Sequence, residues 1–90
     1  EDFASLSPRL VEHLHRCGVR LIGIDTPSVD PADDAELHAH QALARHDMAV
    51  LEGLLLDHIR PGLYTLVALP LRIAGADASP VRAMLVDDSV

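Results

Sequence analysis

Aromatic residues are almost absent from this chain, and their scarcity constrains its fold more than any other feature. Only 2% of the 90 residues are aromatic although 49% are hydrophobic, so the core must be built from leucine, valine, isoleucine and alanine. A chain of about this size forms only a marginal core by itself. We therefore predict one domain, or part of one, that is completed by a partner or by further sequence.

Charge and cysteine content narrow the range of partners. A formal net charge of -7 repels phosphate backbones, so we expect no nucleic acid partner. No apolar run approaches the ~18 residues of a membrane span, and the single cysteine, Cys17, excludes an intrachain disulfide. The first residues show no signal peptide pattern. We expect a cytoplasmic protein without a membrane partner.

Hydrophobic periodicity alternates between helical and extended segments, which indicates α/β construction. Ser7-Pro8 is a typical helix start, and Gly18 is a plausible stop. Residues 19–25 have the pattern of a buried strand that runs into a loop. A second helix is predicted from Asp34 to about Arg45, because its acidic start complements the helix dipole.

The remaining segments are typical of strands. Residues 48–51 form an apolar run that Glu52-Gly53 interrupts. Residues 63–69 and 81–86 are predicted to be two further strands. Their edges require pairing, which a larger sheet or a second subunit would provide.

Glu52 is the first candidate for a functional residue, because an ionised carboxylate is costly to bury among apolar neighbours without a cation or hydrogen-bond donors. A metal ion would supply that cation. The alternative is a strand-end carboxylate that reaches water or an arginine, and the residues alone favour this alternative.

Six histidines suggest metal binding, but no two of them have the spacing of three or four that places both rings on one helix face. His38 and His40 lie two residues apart and point to different sides of a helix. Glu36 precedes His40 by four residues and could hold its second ring nitrogen, although an ordinary surface pair explains this spacing better.

Other reactive residue types have simpler explanations. Cys17 is predicted to be a small buried hydrophobe on the first helix, and Ser79 lacks the elbow motif of a hydrolase nucleophile. His13, His15 and His58 are predicted to be solvated or partly packed. The loop of residues 25–28 could border a site at the end of a strand, or simply form a polar turn.

Five sequence blocks give the chain a specific resemblance. In chain order they are Gly18-Val-Arg-Leu-Ile-Gly-Ile-Asp-Thr-Pro-Ser28, Ala39-His40, Val50-Leu51-Glu52-Gly53, Ala68-Leu69-Pro70-Leu71 and Ala78-Ser79-Pro80-Val81-Arg82-Ala83. Their order and spacing over nearly the whole chain resemble bacterial kynurenine formamidase (arylformamidase) of the cyclase-like metal-dependent hydrolase family.

The resemblance implies a homodimeric amidohydrolase that converts N-formyl-L-kynurenine to L-kynurenine and formate in tryptophan degradation. It implies a two-zinc site, with His40 as a ligand of one zinc and Glu52 as the bridge between both. The implied fold is the C-terminal portion, residues 1–90, of one swivelling β/β/α-like cyclase domain with a β-barrel-like sheet and flanking helices.

The family's remaining ligands and its acid-base histidine come from an N-terminal H-x-G-T-H-x-D-x-P-x-H stretch that nothing in this sequence matches. We therefore assign no catalytic residue here, leave the substrate-binding residues open, and expect the ninety residues alone to be inactive and to bind zinc poorly. Two alternatives stay open: a related hydrolase of another amide or lactone, and a non-catalytic α/β interaction fragment.

Overall fold

The computed structural model describes residues 2–87. Its elements are α1 (Pro8–Arg16), β1 (Leu21–Gly23), α2 (His38–Arg45), β2 (Ala49–Leu51), β3 (Thr65–Pro70) and β4 (Val81–Val86). They fall into two compact units that divide after Leu56. The first unit contains both helices and the β1–β2 pair, and the second contains the β3–β4 pair. The α/β class predicted from the sequence is therefore confirmed.

Helix α1 begins as the sequence predicts. The Ser7 hydroxyl accepts a hydrogen bond from the Leu10 amide at 3.1 Å, and Pro8 occupies the first helical position. The chain leaves the helix through Gly18, whose φ of 90° suits glycine. Cys17 was predicted to be buried, and that prediction is wrong. It forms the C-cap, where the chain has already turned away from the apolar face, and it is exposed.

Strands β1 and β2 pair in parallel, with Leu21 opposite Ala49 and Gly23 opposite Leu51. The prediction of a buried strand over residues 19–25 is only partly right. The strand has three residues, and Leu21 stays exposed because only the Ile22 side of β1 packs against the core. Because the pairing is parallel, both strands end at the same edge of the sheet. The loop after β1 and Glu52 after β2 meet at this edge.

Helix α2 begins at His38, not at Asp34. The preceding residue, Leu37, adopts left-handed backbone angles (φ 55°, ψ 55°) that no helix can continue. Asp34 stabilises this turn, because its carboxylate accepts hydrogen bonds from the amides of Glu36, Leu37 and His38 at 3.0–3.2 Å. The predicted start at Asp34 is therefore wrong by four residues, and no acidic residue lies in the first turn of α2.

The first unit has a small aliphatic core, as the scarcity of aromatic residues predicts. Its buried hydrophobic residues come from both helices, from the loop before α2 and from the start of the β2 segment. They are Val11, Val29, Ala39, Ala42, Leu43 and Met48. This core fixes the beginning of α2 against the loop after β1.

The second unit is an antiparallel hairpin in which Thr65 lies opposite Val86 and Pro70 opposite Val81. Both predicted strands are therefore confirmed. No residue from 57 to 87 is buried, and large apolar side chains such as Leu63 and Leu69 are exposed. The strands described here form two separate two-stranded sheets, and the larger barrel-like sheet stays a prediction. Among the described residues, no helix is long and apolar enough to cross a membrane.

Candidate metal centre

His40 and Glu52 come together at the edge where the parallel strands end. His40 lies in the first turn of α2, and Glu52 directly follows β2. The Nε2 atom of His40 is 3.0 Å from Oε2 of Glu52, and the two side chains are 33% and 28% exposed. Two residues selected from sequence thus lie side by side at a partly open surface, where a ligand can reach both.

A third residue, Asp30, completes the group that we call the His40 cluster: Asp30, His40 and Glu52. Oδ2 of Asp30 lies 2.7 Å from Nδ1 of His40. The same carboxylate accepts hydrogen bonds from the backbone amides of Ala39 at 2.6 Å and His40 at 2.9 Å. Its side chain is only 1% exposed. Asp30 is therefore a buried anion whose partners are all at the beginning of α2, where the helix dipole favours negative charge.

Backbone contacts bring the loop after β1 to Glu52. The Val29 amide donates to Oε2 of Glu52 at 2.8 Å, and the Gly53 amide donates to the Thr26 carbonyl at 2.8 Å. Thr26 in turn donates its hydroxyl to the Ser28 carbonyl at 2.8 Å. The loop at residues 25–28 is a polar turn next to the His40 cluster, and its role at the border of a functional site stays a prediction.

Asp30 gives the cluster a buried negative charge. Burial by itself would raise the pKa of Asp30, but hydrogen bonds from the His40 and Ala39 amides and from the His40 ring outweigh it, so the pKa lies below its usual value. Asp30 is therefore ionised near neutral pH. The cluster combines this fixed negative charge with the Glu52 carboxylate on the other side of the ring.

The donor types of His40 and Glu52 suit a zinc ion. Imidazole nitrogen and carboxylate oxygen are ordinary zinc ligands at about 2.0–2.2 Å, and two such ligands on a tetrahedral ion lie roughly 3.3 Å apart. The observed separation of 3.0 Å is close to that value. Within residues 2–87, however, no group of three or more His, Cys, Asp or Glu side chains is arranged to hold a metal ion. The two donors alone are fewer than the four ligands of a zinc site.

The structure corrects the suggested contact between Glu36 and His40. Oε2 of Glu36 lies 2.9 Å from Nε2 of His38 instead, because α2 begins after Glu36 and the two residues do not share a helix face. The carboxylate at Nδ1 of His40 is Asp30, which sequence reasoning missed. Asp30 lies eight residues before the first residue of α2, outside the N-cap position, so no capping pattern in the sequence singles it out.

A second histidine pair lies elsewhere in the first unit. The rings of His15 and His46 stack with centroids 4.2 Å apart, where the ends of α1 and α2 meet. Nε2 of His46 is buried without a hydrogen-bond partner among the described residues, and Oε1 of Glu12 lies 3.8 Å away, beyond hydrogen-bond distance. His15 is exposed and stacks on His46, so it is both solvated and in contact with a neighbouring ring.

The arrangement of these elements matches a known hydrolase fold. A solved structure described as a potential metal-dependent hydrolase with cyclase activity superimposes with a TM-score of 0.81 and 30% sequence identity. The match covers 92% of this chain and 41% of that protein. The chain therefore has the fold of part of a cyclase-like metal-dependent hydrolase. No family model matches its sequence.

Curated relatives identify the group more closely. The kynurenine formamidase of Bordetella avium (strain 197N) is 54% identical over 85 residues, and that of Sphingopyxis alaskensis (strain DSM 13593 / LMG 18877 / RB2256) is 55% identical over 84 residues. The alignments cover 94% and 93% of this chain. The chain is a homologue of the kynurenine formamidases, as its sequence blocks predicted. It spans about 41% of the length of the Bordetella relative.

Proposed function

We propose that the gene product carrying this chain hydrolyses N-formyl-L-kynurenine to L-kynurenine and formate, and that His40 and Glu52 are ligands of its two-zinc site. The observation that carries the proposal is the 3.0 Å approach of His40 Nε2 to Glu52 Oε2, in a chain 54% identical to a kynurenine formamidase. The likeness to a metal-dependent hydrolase structure supports a metal cofactor.

Each side chain is suited to one task. His40 presents Nε2 at the open side of the cluster, since Nδ1 faces the buried Asp30. Glu52 has two carboxylate oxygens, so it can join two cations, as a bridging ligand must. A bound zinc would lower the pKa of a water ligand and polarise the substrate carbonyl. The chain's own contribution is to hold the two donors in place.

The remaining ligands and the acid-base group have to come from residues outside this chain, because two donors do not complete a zinc site. A homodimer is part of the proposal. The exposed apolar side chains of the second unit, such as Leu63, support it, since burial against another surface would remove them from water. The proposed location is the cytoplasm, and residues 1–90 are proposed to be the C-terminal portion of one domain.

The test is zinc content and N-formylkynurenine hydrolysis by the full-length gene product, compared with His40→Ala and Glu52→Ala. We expect both variants to lose zinc and activity while far-UV circular dichroism shows that they remain folded. His38→Ala is the matched control, because it removes an imidazole two residues away on another side of α2, and it should keep both zinc and activity.

Other outcomes separate the alternatives. Zinc binding without turnover of N-formylkynurenine, but with turnover of another amide or lactone, would favour a related cyclase-type hydrolase. Retention of zinc and activity by His40→Ala and Glu52→Ala would contradict the assignment of the ligands. A gene product that binds no zinc and has no hydrolase activity would favour a non-catalytic interaction protein.

A further inference from the structure

We propose that Asp30 is the positioning residue of this centre: it holds the proton of His40 on Nδ1 and thereby reserves Nε2 for the metal. The inference rests on the proposed role of His40 as a ligand. It adds a residue that lies outside the two ligands and would touch neither metal nor substrate. Its effect would act entirely through the His40 ring.

The hydrogen bonds of Asp30 determine the direction of the proton. Oδ1 accepts from the Ala39 amide, and Oδ2 accepts from the His40 amide. Both oxygens therefore act as acceptors, so the 2.7 Å contact between Oδ2 and Nδ1 is a hydrogen bond in which the ring nitrogen is the donor when it carries the proton. When the imidazole is neutral, Nε2 consequently carries the lone pair.

That lone pair faces another electron-rich atom. Nε2 lies 3.0 Å from Oε2 of Glu52, so one metal ion placed beside them can contact both atoms. Because Asp30 fixes the proton on Nδ1, Nε2 is the nitrogen at which a metal ion can replace a proton.

The segment Val29-Asp30 orients both donors at once. The Val29 amide donates to Oε2 of Glu52, and the next residue contacts the ring of His40 through its side chain. Val29 and Asp30 are 0% and 1% exposed. Burial of this segment limits its movement, so the spacing of the two donors is set by two consecutive residues of one loop.

The chain contains a matched control for this geometry. Asp34 contacts Nδ1 of His38 at 2.9 Å and accepts a hydrogen bond from the His38 amide, as Asp30 does for His40. The other nitrogen of His38 faces Glu36, on a surface where the His38 side chain is 55% exposed. Asp34→Asn therefore repeats the chemical change of Asp30→Asn at a site where no ligand is proposed.

The experiment compares Asp30→Asn, Asp34→Asn and the unchanged full-length gene product. Zinc affinity is measured by competition with a chromophoric chelator. The tautomer of His40 is measured by long-range ¹H–¹⁵N NMR on zinc-free protein, at a pH where the ring is neutral. Asp30→Asn should weaken zinc binding roughly 10- to 100-fold, as loss of such supporting contacts does, and should move the His40 proton to Nε2. Asp34→Asn should change neither result for His40.

Two results would overturn the inference. One is zinc affinity in Asp30→Asn within twofold of the unchanged protein. The other is a neutral His40 ring that carries its proton on Nε2 in the unchanged protein, a measurement that needs no variant to fold. Failure of the unchanged protein to bind zinc would instead contradict the proposed function, and the tautomer result would still show whether Asp30 directs the ring.

Discussion

Two pairs, Asp30–His40 and Asp34–His38, share the same contacts at the beginning of α2. In each pair a carboxylate contacts Nδ1 of a histidine and accepts hydrogen bonds from backbone amides. Their surroundings differ. Asp30 is buried and its histidine points to Glu52 across the fold, whereas His38 points to Glu36, which is 76% exposed. The same local chemistry thus occurs in a buried cluster and near the surface, since the side chains of Asp30 and His40 are 1% and 33% exposed and those of Asp34 and His38 are 17% and 55% exposed.

The largest expected difference between the pairs is in stability. Asp30→Ala should lower the free energy of unfolding by roughly 3 kcal/mol, because it leaves the buried Ala39 amide without an acceptor and removes charge-assisted hydrogen bonds. Asp34→Ala should have a much smaller effect, since water can replace the lost contacts. Urea unfolding of the two variants measures the difference, and equal destabilisation would contradict the importance given to burial.

A smaller effect on stability is expected at Leu37, which directly precedes His38 and has a left-handed backbone conformation. Leu37→Gly should be more stable than Leu37→Ala by about 0.5–1 kcal/mol, because glycine adopts positive φ without steric strain but loses more entropy on folding. Both variants remove the same exposed side chain, so the comparison isolates the backbone. Thermal unfolding gives the order, and a more stable alanine variant would argue against the left-handed turn.

The third expected effect is on the protonation of the Asp34–His38 pair. The hydrogen bond with Asp34 raises the pKa of His38, and that with His38 lowers the pKa of Asp34. The raised pKa stabilises the fold below the unfolded-state pKa of His38, and this contribution is lost as pH rises through the folded-state value. The lowered pKa of Asp34 stabilises the fold above the unfolded-state pKa of Asp34. This contribution is lost as pH falls through the folded-state pKa of Asp34. The pair therefore contributes most at mildly acidic pH. In an NMR titration, Asp34→Asn should lower the pKa of His38, and an unchanged value would exclude the pairing.

The smallest expected effect is that of salt. Surface ion pairs are screened when the Debye length falls to about 3 Å near 1 M salt. The raised pKa of His38 should therefore move back toward its ordinary value as sodium chloride is added. The same NMR titration at two salt concentrations checks this, and a pKa that does not respond to salt would indicate that His38 is shielded from solvent.

Local signals in the sequence predicted much of the fold. Ser7-Pro8 and Gly18 marked both ends of α1, and apolar runs of strand length predicted β3 and β4. These features depend on neighbouring residues only, so they can be read without the fold. The start of α2 was placed less accurately, because it depends on the left-handed backbone conformation of Leu37. Leucine rarely adopts this conformation.

The candidate site was predicted in part. Glu52 was singled out by its apolar neighbours in the sequence, the ligand roles of His40 and Glu52 came from the resemblance, and their approach to 3.0 Å is an observation of the structure. Their assignment as metal ligands stays a prediction. Asp30 was missed because its contact with His40 joins residues ten apart through a loop, and no helical or strand periodicity encodes such a contact.

The hydrogen bond from the Val29 amide to Glu52 also affects the thermodynamics of ligand binding. A free glutamate side chain samples many rotamers, and immobilising such a side chain costs about 0.5–1.5 kcal/mol in conformational entropy. In this protein the loop holds Glu52 in place when the chain folds, so that entropy is lost before any ion binds. Folding thus reduces the entropic penalty that is left for the binding step.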